Sequence, residues 1–416
     1  MTIRRRDRGL SGDDIGCDVS RVSPDDLLER LRALPGAAPL VAALADVPGV
    51  WIVGGAVRDT LLGRAPRDLD LVVERDAAAA ARRLGEDAVV HDRFGTATAV
   101  GEVNIAASRR ERYERPGALP EVELGVPLRE DLARRDFSVN TLAVQLADGT
   151  LEAVPGALDD LAARQLRALH DRSFVDDPTR LLRLVRYGAR LRFQIEEETR
   201  LWAFAAVANG ALATVSGPRL GAELRLLLDE PQPAALCGLE GLRIGPRLLP
   251  AFRVDPDLIE RAQRLTPDDA RADLVALAAC CLDAGAAELA ERLDWLEFTA
   301  RERDIVVAAA TRARSLAPVM GGMDSASGLW ALLRREGAET VALAGGIGAR
   351  EAARKWFEEV RGVRLAIDGS DLVAAGLSGP AVGRGLEAAM GAVLDGEARD
   401  REAQLAVALR GTSTAH

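Results

Sequence analysis

The sequence predicts an α+β protein, a small mixed-sheet head with helices followed by an all-helical arm. Three observations carry that prediction. Strand-length apolar runs, broken by glycine and acidic turns, recur between about residues 38 and 155. Beyond about 156 the strand signals stop and helical periods run to the end of the chain. The chain has 416 residues, enough for two to four domains. The expected division is a tail over 1–34, the head over 35–160, a helical neck over 161–230, a helical body over 231–320 and a helical tail over 321–416.

The first 34 residues are polar and rich in Asp and Arg, and run into a helix near Pro24–Leu34. Val50-Trp51-Ile52-Val53 is a strand that ends in Gly54-Gly55, and a short helix follows through Val57-Arg58-Asp59. Two glycines at a strand end let backbone N–H groups approach an anion, with the positive end of the helix behind them. Taken alone, such a pair reads equally as a tight turn. Asp68-Leu69-Asp70 then opens a second apolar strand, Leu71-Val72-Val73. Residues i and i+2 of a strand face one side, so both carboxylates point together. Two like charges so close repel, and a divalent cation relieves the repulsion. A lone Asp-x-Asp would read as solvated edge charge. In this order, the phosphate cradle and paired carboxylates are the apparatus of nucleotidyl transfer.

A helix over Asp76–Leu84 comes next, then strands at Ala88–His91, Thr96–Val100 and Val103–Ala107, the last two joined by Gly101-Glu102. Ser108 to Arg129 is charged and interrupted by proline, which suits a mobile loop. A short helix near Ser138–Leu142 precedes a hairpin turning at Asp148-Gly149. Helical periods follow over Leu161–Leu169, Pro178–Leu191, Glu197–Ala208 and Pro218–Leu228, then over 250–310 and 325–410.

Composition narrows the function. A formal charge of −10 argues against adhesion to nucleic acid over the whole surface, so any RNA contact needs a local basic stripe. The three histidines (His91, His170, His416) are too few and too scattered for a histidine-built hydrolase centre. The four cysteines show no C-x-x-C spacing. No secretory signal and no 18-residue apolar run is present, and a reducing, cytoplasmic setting is expected.

Two further constellations lie outside the first. In Asp176-Asp177-Pro178-Thr179-Arg180, Asp177 suits an N-cap and Pro178 the first helical turn. Arg180, Arg183, Arg186 and Arg190 then share one helix face. One reading is a solvated arginine face behind a structural cap. The sharper one sets Asp177 as acceptor beside Arg180 as forked donor. The pairing edges of cytosine and adenine offer an amino donor beside a ring-nitrogen acceptor, and those of uracil and guanine the reverse. One Asp–Arg pair therefore accepts CTP and ATP and leaves unmatched polar groups against UTP and GTP. Arg183 and Arg186, further along that face, would reach triphosphate oxygens. In Arg134-Arg135-Asp136-Phe137-Ser138-Val139-Asn140, the neighbours Arg135 and Asp136 would hold a ribose hydroxyl or a phosphate, or else form a helix-start ion pair.

The stretches VGGAVRD with DLD, RRDFSVNTLAV, SFVDDPTRLLRLVRYGARLRF and VSGPRLGAELRLLL resemble the class II tRNA nucleotidyltransferases and the related bacterial poly(A) polymerases. The segment from Ile367 to Ala406 is similar to the family's tail, so the resemblance runs from about 45 to 410. It implies a DNA polymerase beta-like head with helical neck, body and tail. It further implies that Gly55 and Arg58 contact the nucleotide with Gly54 beside them, that Asp68 and Asp70 hold Mg2+, and that Arg135 and Asp136 sit near the ribose. Asp177, Arg180, Arg183 and Arg186 would bind base and triphosphate. The implied reaction adds C and A from CTP and ATP to the 3′ end of tRNA, gripping its acceptor arm. Addition of A only, CC only or poly(A) are the alternatives. SRRERYERPGALP resembles the family's flexible loop. Two departures stand out: Asp176 where the family usually has Glu, and Asn104 where relatives often have Asp on a neighbouring strand. Glu102, two residues before Asn104, is the candidate replacement acid.

Overall fold

The computed structural model describes residues 24–34, 37–66, 68–74, 77–84, 89–91, 96–99 and 103–411. The described residues form two compact units. The first comprises those up to Arg180 together with Arg192–Ala203, and the second comprises Leu181–Leu191 together with those from Phe204 onward.

In the first unit the strands are β1 Val50–Val53, β2 Asp70–Val73, β3 Val89–His91, β4 Thr96–Ala99, β5 Val103–Ala107, β6 Arg109–Arg112, β7 Glu121–Leu124, β8 Ala143–Gln145, β9 Leu151–Glu152, β10 Gln165–Leu166 and β11 Gln194–Ile195. Its helices begin with α1 Pro24–Arg32, α2 Ala37–Leu44, α3 Gly55–Leu61, α4 Ala77–Leu84 and α5 Leu128–Ala133. They continue with α6 Ala157–Ala162, α7 Ser173–Asp176 and the start of α8 Thr179–Leu191. A seven-stranded sheet of order β3-β4-β5-β2-β1-β8-β9 organises the unit. Only β2 and β5 run parallel within it, so the sheet is mixed as expected.

The alternation of β1 explains why every residue of Val-Trp-Ile-Val is buried. Trp51 and Val53 join Val72, Ala143, Leu128 and Leu132 in one core cluster. Val50 and Ile52, on the opposite pleat, pair with Val73 and Leu71 and are equally buried. A strand covered on both sides carries no polar alternation, which is why it reads as a continuous apolar run.

Three expectations need correction. The second apolar strand begins at Asp70, not Asp68, which lies just before it. Residues 108–129 are not one loop: β6 and β7 form an antiparallel hairpin in which Arg109 faces Leu124, and α5 begins at Leu128. The apolar signature is missing because this hairpin is held by charge, Arg110 binding Glu123 on the opposite strand at 2.6 Å. Strands also continue past 156: a helix over Leu161–Leu169 is not formed, since α6 ends at Ala162 and β10, Gln165–Leu166, pairs in parallel with β11. Two-residue strands are too short to show a period. The Gly101-Glu102 turn and the polar segment before Pro24 lie outside the described residues.

The second unit is helical. Its helices include α9, Glu197–Ala208, which begins in the first unit, and α10, Gly217–Leu228. The longest, Ala300–Gly321, starts at a capping box in which Thr299 and Glu302 satisfy each other's backbone N–H groups. The glycines of VSGPRLGAELRLLL have a packing reason. A Cβ at Gly217 or Gly221 would collide with the carbonyl oxygen of Trp295 or Leu296, so α10 meets the end of helix Ala286–Trp295 backbone to backbone. Arg225, one turn further on, donates to the carbonyls of Leu296 and Glu297 and closes the same contact. Among the described residues no helix is long and apolar enough to cross a membrane.

Candidate active site

The site is assembled where β1 ends, β2 begins and the RRDFSVN segment passes beside them. Gly54 has φ +67°, in the left-handed region, and its amide donates to the Leu142 carbonyl. A Cβ there would stand 2.9 Å from Arg135 Nη1. Gly54 is therefore favoured by its backbone conformation, with the end of the flexible Arg135 side chain lying against it. Gly55 has more room, its nearest neighbour being Arg58 Nη2 at 3.7 Å from an added Cβ.

Arg58 is 1% exposed, so its guanidinium lies inside the head. It donates to Asp59 Oδ1 at 2.8 Å and to Asn140 Oδ1 at 2.5 Å. Asn140 in turn donates to Asp136 Oδ1, which also accepts from the Phe137 amide. The structure thus spends Arg58 on tying the first motif to RRDFSVN. Asn140 was missed as a partner because the contact spans 82 positions of sequence.

Asp131, also missed, anchors the two arginines of that motif. Its carboxylate is fully buried, and Oδ1 accepts from Arg134 Nε at 3.0 Å, Arg134 Nη2 at 2.7 Å and the Arg109 amide at 3.1 Å. Oδ2 accepts from Arg135 Nη2 at 3.1 Å. Burial pushes this carboxyl up, but the charges of Arg135 and Arg134 outweigh it and hold the group below its usual range. Its i, i+3 and i, i+4 spacing to Arg134 and Arg135 was the available signal.

Asp70 opens β2 opposite Val53 on one side and Asn104 on the other. Its tip reaches solvent, yet the surrounding protein pushes its carboxyl above the usual value. A hydrogen bond from Asn104 and the charge of Arg135 counteract that, and the charge of Asp68 adds to it. Asp68 and Asp70 are thus close enough to repel, and both are open to solvent. Hard oxygen donors of this kind suit a magnesium-like cation, which takes one or two carboxylates and fills its remaining positions with water and phosphate oxygens. Among the described residues no third acid, histidine or cysteine completes a ligand set. Glu102 lies outside the described residues.

In the same unit a cavity of about 280 Å³ is lined by Glu111, Tyr113, Arg134, His170, Asp176 and Arg180, among others. Tyr113 donates to Glu111 Oε2 at 2.9 Å, and burial pushes its hydroxyl well up. Burial and the charge of Arg180 push the His170 imidazole below its ordinary value. Arg180 is 5% exposed, donating from Nη1 to Ser173 Oγ at 2.8 Å and from Nη2 to the Arg134 carbonyl at 2.6 Å. Asp177 Oδ1 accepts from the amide and hydroxyl of Thr179, which begins α8. Arg183 and Arg186 follow on α8 at one-turn spacing, both partly buried. Arg186 approaches Glu223 at 3.5 Å and lies over the Tyr187 ring.

A mixed sheet whose first two strands present a glycine turn and paired aspartates defines the class of nucleotidyltransferase heads. Residues 50–167 match the Poly A polymerase head domain. Over part of its length the chain is thus similar to tRNA nucleotidyltransferases. It is 41% identical over 249 residues to the A-adding tRNA nucleotidyltransferase of Geobacter sulfurreducens, covering 55% of this chain and 28% of that one. Against the CC-adding tRNA nucleotidyltransferase of Deinococcus radiodurans identity is 40%, covering 58% of this chain and 66% of that one. The chain thus spans less than two thirds of the length of these curated relatives. The solved structure of the Thermotoga maritima CCA-adding enzyme complexed with tRNA is similar with a TM-score of 0.76 and 27% identity, over 92% of this chain and 98% of that one.

Proposed function

We propose that this chain adds C and A nucleotides from CTP and ATP to the 3′ end of tRNA without a template, releasing pyrophosphate, with Mg2+ as the metal and the cytoplasm as the setting. The observation that supports this most is that Asp70, two residues after Asp68, pairs with Val53 directly before the Gly54-Gly55 turn, against which Arg135 lies. The tRNA 3′-hydroxyl loses its proton to solvent and attacks the α-phosphorus, the bond from that phosphorus to the α–β bridging oxygen breaks, and pyrophosphate leaves. Bound Mg2+ supplies acidity to the hydroxyl and charge to the leaving group. Asp68 and Asp70 would hold it through their carboxylates. Arg135, fixed by Asp131, faces this pair and would steady phosphate or ribose oxygens. Gly55 would leave the triphosphate room to approach. Asp177 and Arg180 would read the base, and Arg183 and Arg186 would take the triphosphate. Asp136, bound to Asn140 and the Phe137 amide, acts by shaping the ribose pocket.

The relatives that add only A or only CC make partial addition the second reading. One experiment separates the two. tRNA ending before C, before the second C and before A is incubated with each labelled nucleotide in turn. Complete addition requires two C and one A in order. Incorporation of A alone, or of C alone, selects a partial activity. Asp70→Asn should abolish all three while circular dichroism stays unchanged, and near-normal incorporation in that variant would remove the metal assignment.

A further inference from the structure

The position facing the metal carboxylate carries an amide. Parallel pairing of β2 and β5 sets Asn104 directly opposite Asp70, and Asn104 Nδ2 donates to Asp70 Oδ1 at 3.3 Å. Aspartate has the same size as asparagine, but here the third group is neutral and turns a donor, not an acceptor, toward the site. A cation arriving alone therefore meets two carboxylates, one already engaged by an amide. Less negative charge is gathered there than three acids would gather, so less repulsion is relieved when the ion binds. The remaining oxygens must come from elsewhere, and a magnesium-like ion readily takes them from phosphate.

We propose that Asn104 makes the cation site of this chain nucleotide-dependent: Asp68 and Asp70 hold the ion firmly only when a nucleoside triphosphate brings its own oxygens. This rests on reading Asp68 and Asp70 as the metal carboxylates, as above. Asn104 is here a positioning residue, acting through Asp70.

The test uses the full chain without tRNA, so that no turnover occurs. Free Mn2+ is followed by electron paramagnetic resonance, with and without a saturating CTP analogue whose α–β bridging oxygen is a methylene group; the analogue's own Mn2+ binding is subtracted. The unaltered chain should half-saturate with Mn2+ at a concentration at least ten-fold lower when the analogue is present. Asn104→Asp should bind Mn2+ alone at least ten-fold more tightly than the unaltered chain. Equal affinity with and without the analogue overturns the proposal, and that arm needs no variant to fold. So does an Asn104→Asp variant that folds, by circular dichroism, and binds Mn2+ alone no more tightly. A ten-fold loss of Mn2+ binding in Glu102→Gln would supply a third acid from Glu102 and would overturn it as well. A chain that shows the predicted Mn2+ pattern but fails to extend tRNA overturns the proposed function and leaves the role of Asn104 standing.

Discussion

Asp131→Asn removes one negative charge from the most heavily bonded carboxylate of the head. In the native structure that group is fully buried and neutralises Arg134 and Arg135, whose side chains are 18% and 16% exposed. The asparagine keeps one acceptor but turns an amide donor toward a guanidinium, so largely buried Arg135 loses its paired carboxylate and Arg134 keeps only Glu111. Breaking a buried pair in this way costs about 3–5 kcal/mol. With a urea m-value of roughly 2 kcal/mol/M, the midpoint should fall by about 1.5–2.5 M. The assay is a urea titration read by hydrogen exchange in peptides from residues 128–145, which reports the head and not the helical unit. Glu123→Gln, which removes an exposed partner of Arg110, serves as the control and should cost less than about 1 kcal/mol. The pH dependence follows with a definite sign. The folded carboxyl lies below its ordinary value of 3.8, so its stabilisation is fully present above that value and is lost as pH falls through the folded value. The unaltered head should therefore weaken below about pH 4 through this group, and Asp131→Asn should lack that component. A midpoint within about 0.3 M of the parent would refute the reasoning, because Arg135 would then need no buried counter-charge and Glu111 would suffice for Arg134.

Two more predictions follow from other parts of the chain. Gly221→Ala places a methyl group on the Leu296 carbonyl and should destabilise the helical unit by about 1–3 kcal/mol or more, lowering its melting temperature in calorimetry; an unchanged melting temperature would mean that α10 shifts freely. Asp177→Ala should reduce the preference for CTP and ATP over UTP and GTP by roughly 1–3 kcal/mol, measured by incorporation of all four nucleotides; a variant that is less stable but keeps its full preference would show that Asp177 acts only through its bonds to Thr179 at the start of α8.

The chain's local patterns were enough to place the head, the two aspartates and the helical remainder. Val50–Val53 and Leu71–Val73 are continuous apolar runs because both sides of the strand are covered, and a glycine pair after such a run has few local alternatives. The Asp-x-Asp motif fixes its own spacing, since its two residues are neighbours along the backbone. The β6–β7 hairpin could not be seen in this way, because its pairing rests on charges 13 residues apart and not on apolar alternation. The same holds for the inner partners of the site. That Arg58 ends on Asn140, that Asp131 serves both arginines and that Asn104 faces Asp70 are facts of strand order and packing between residues distant in sequence. Local propensity fixes which residues can form a strand or a turn. Only the closed sheet decides which buried charge meets which, because a buried polar group must find its partner wherever the fold brings one.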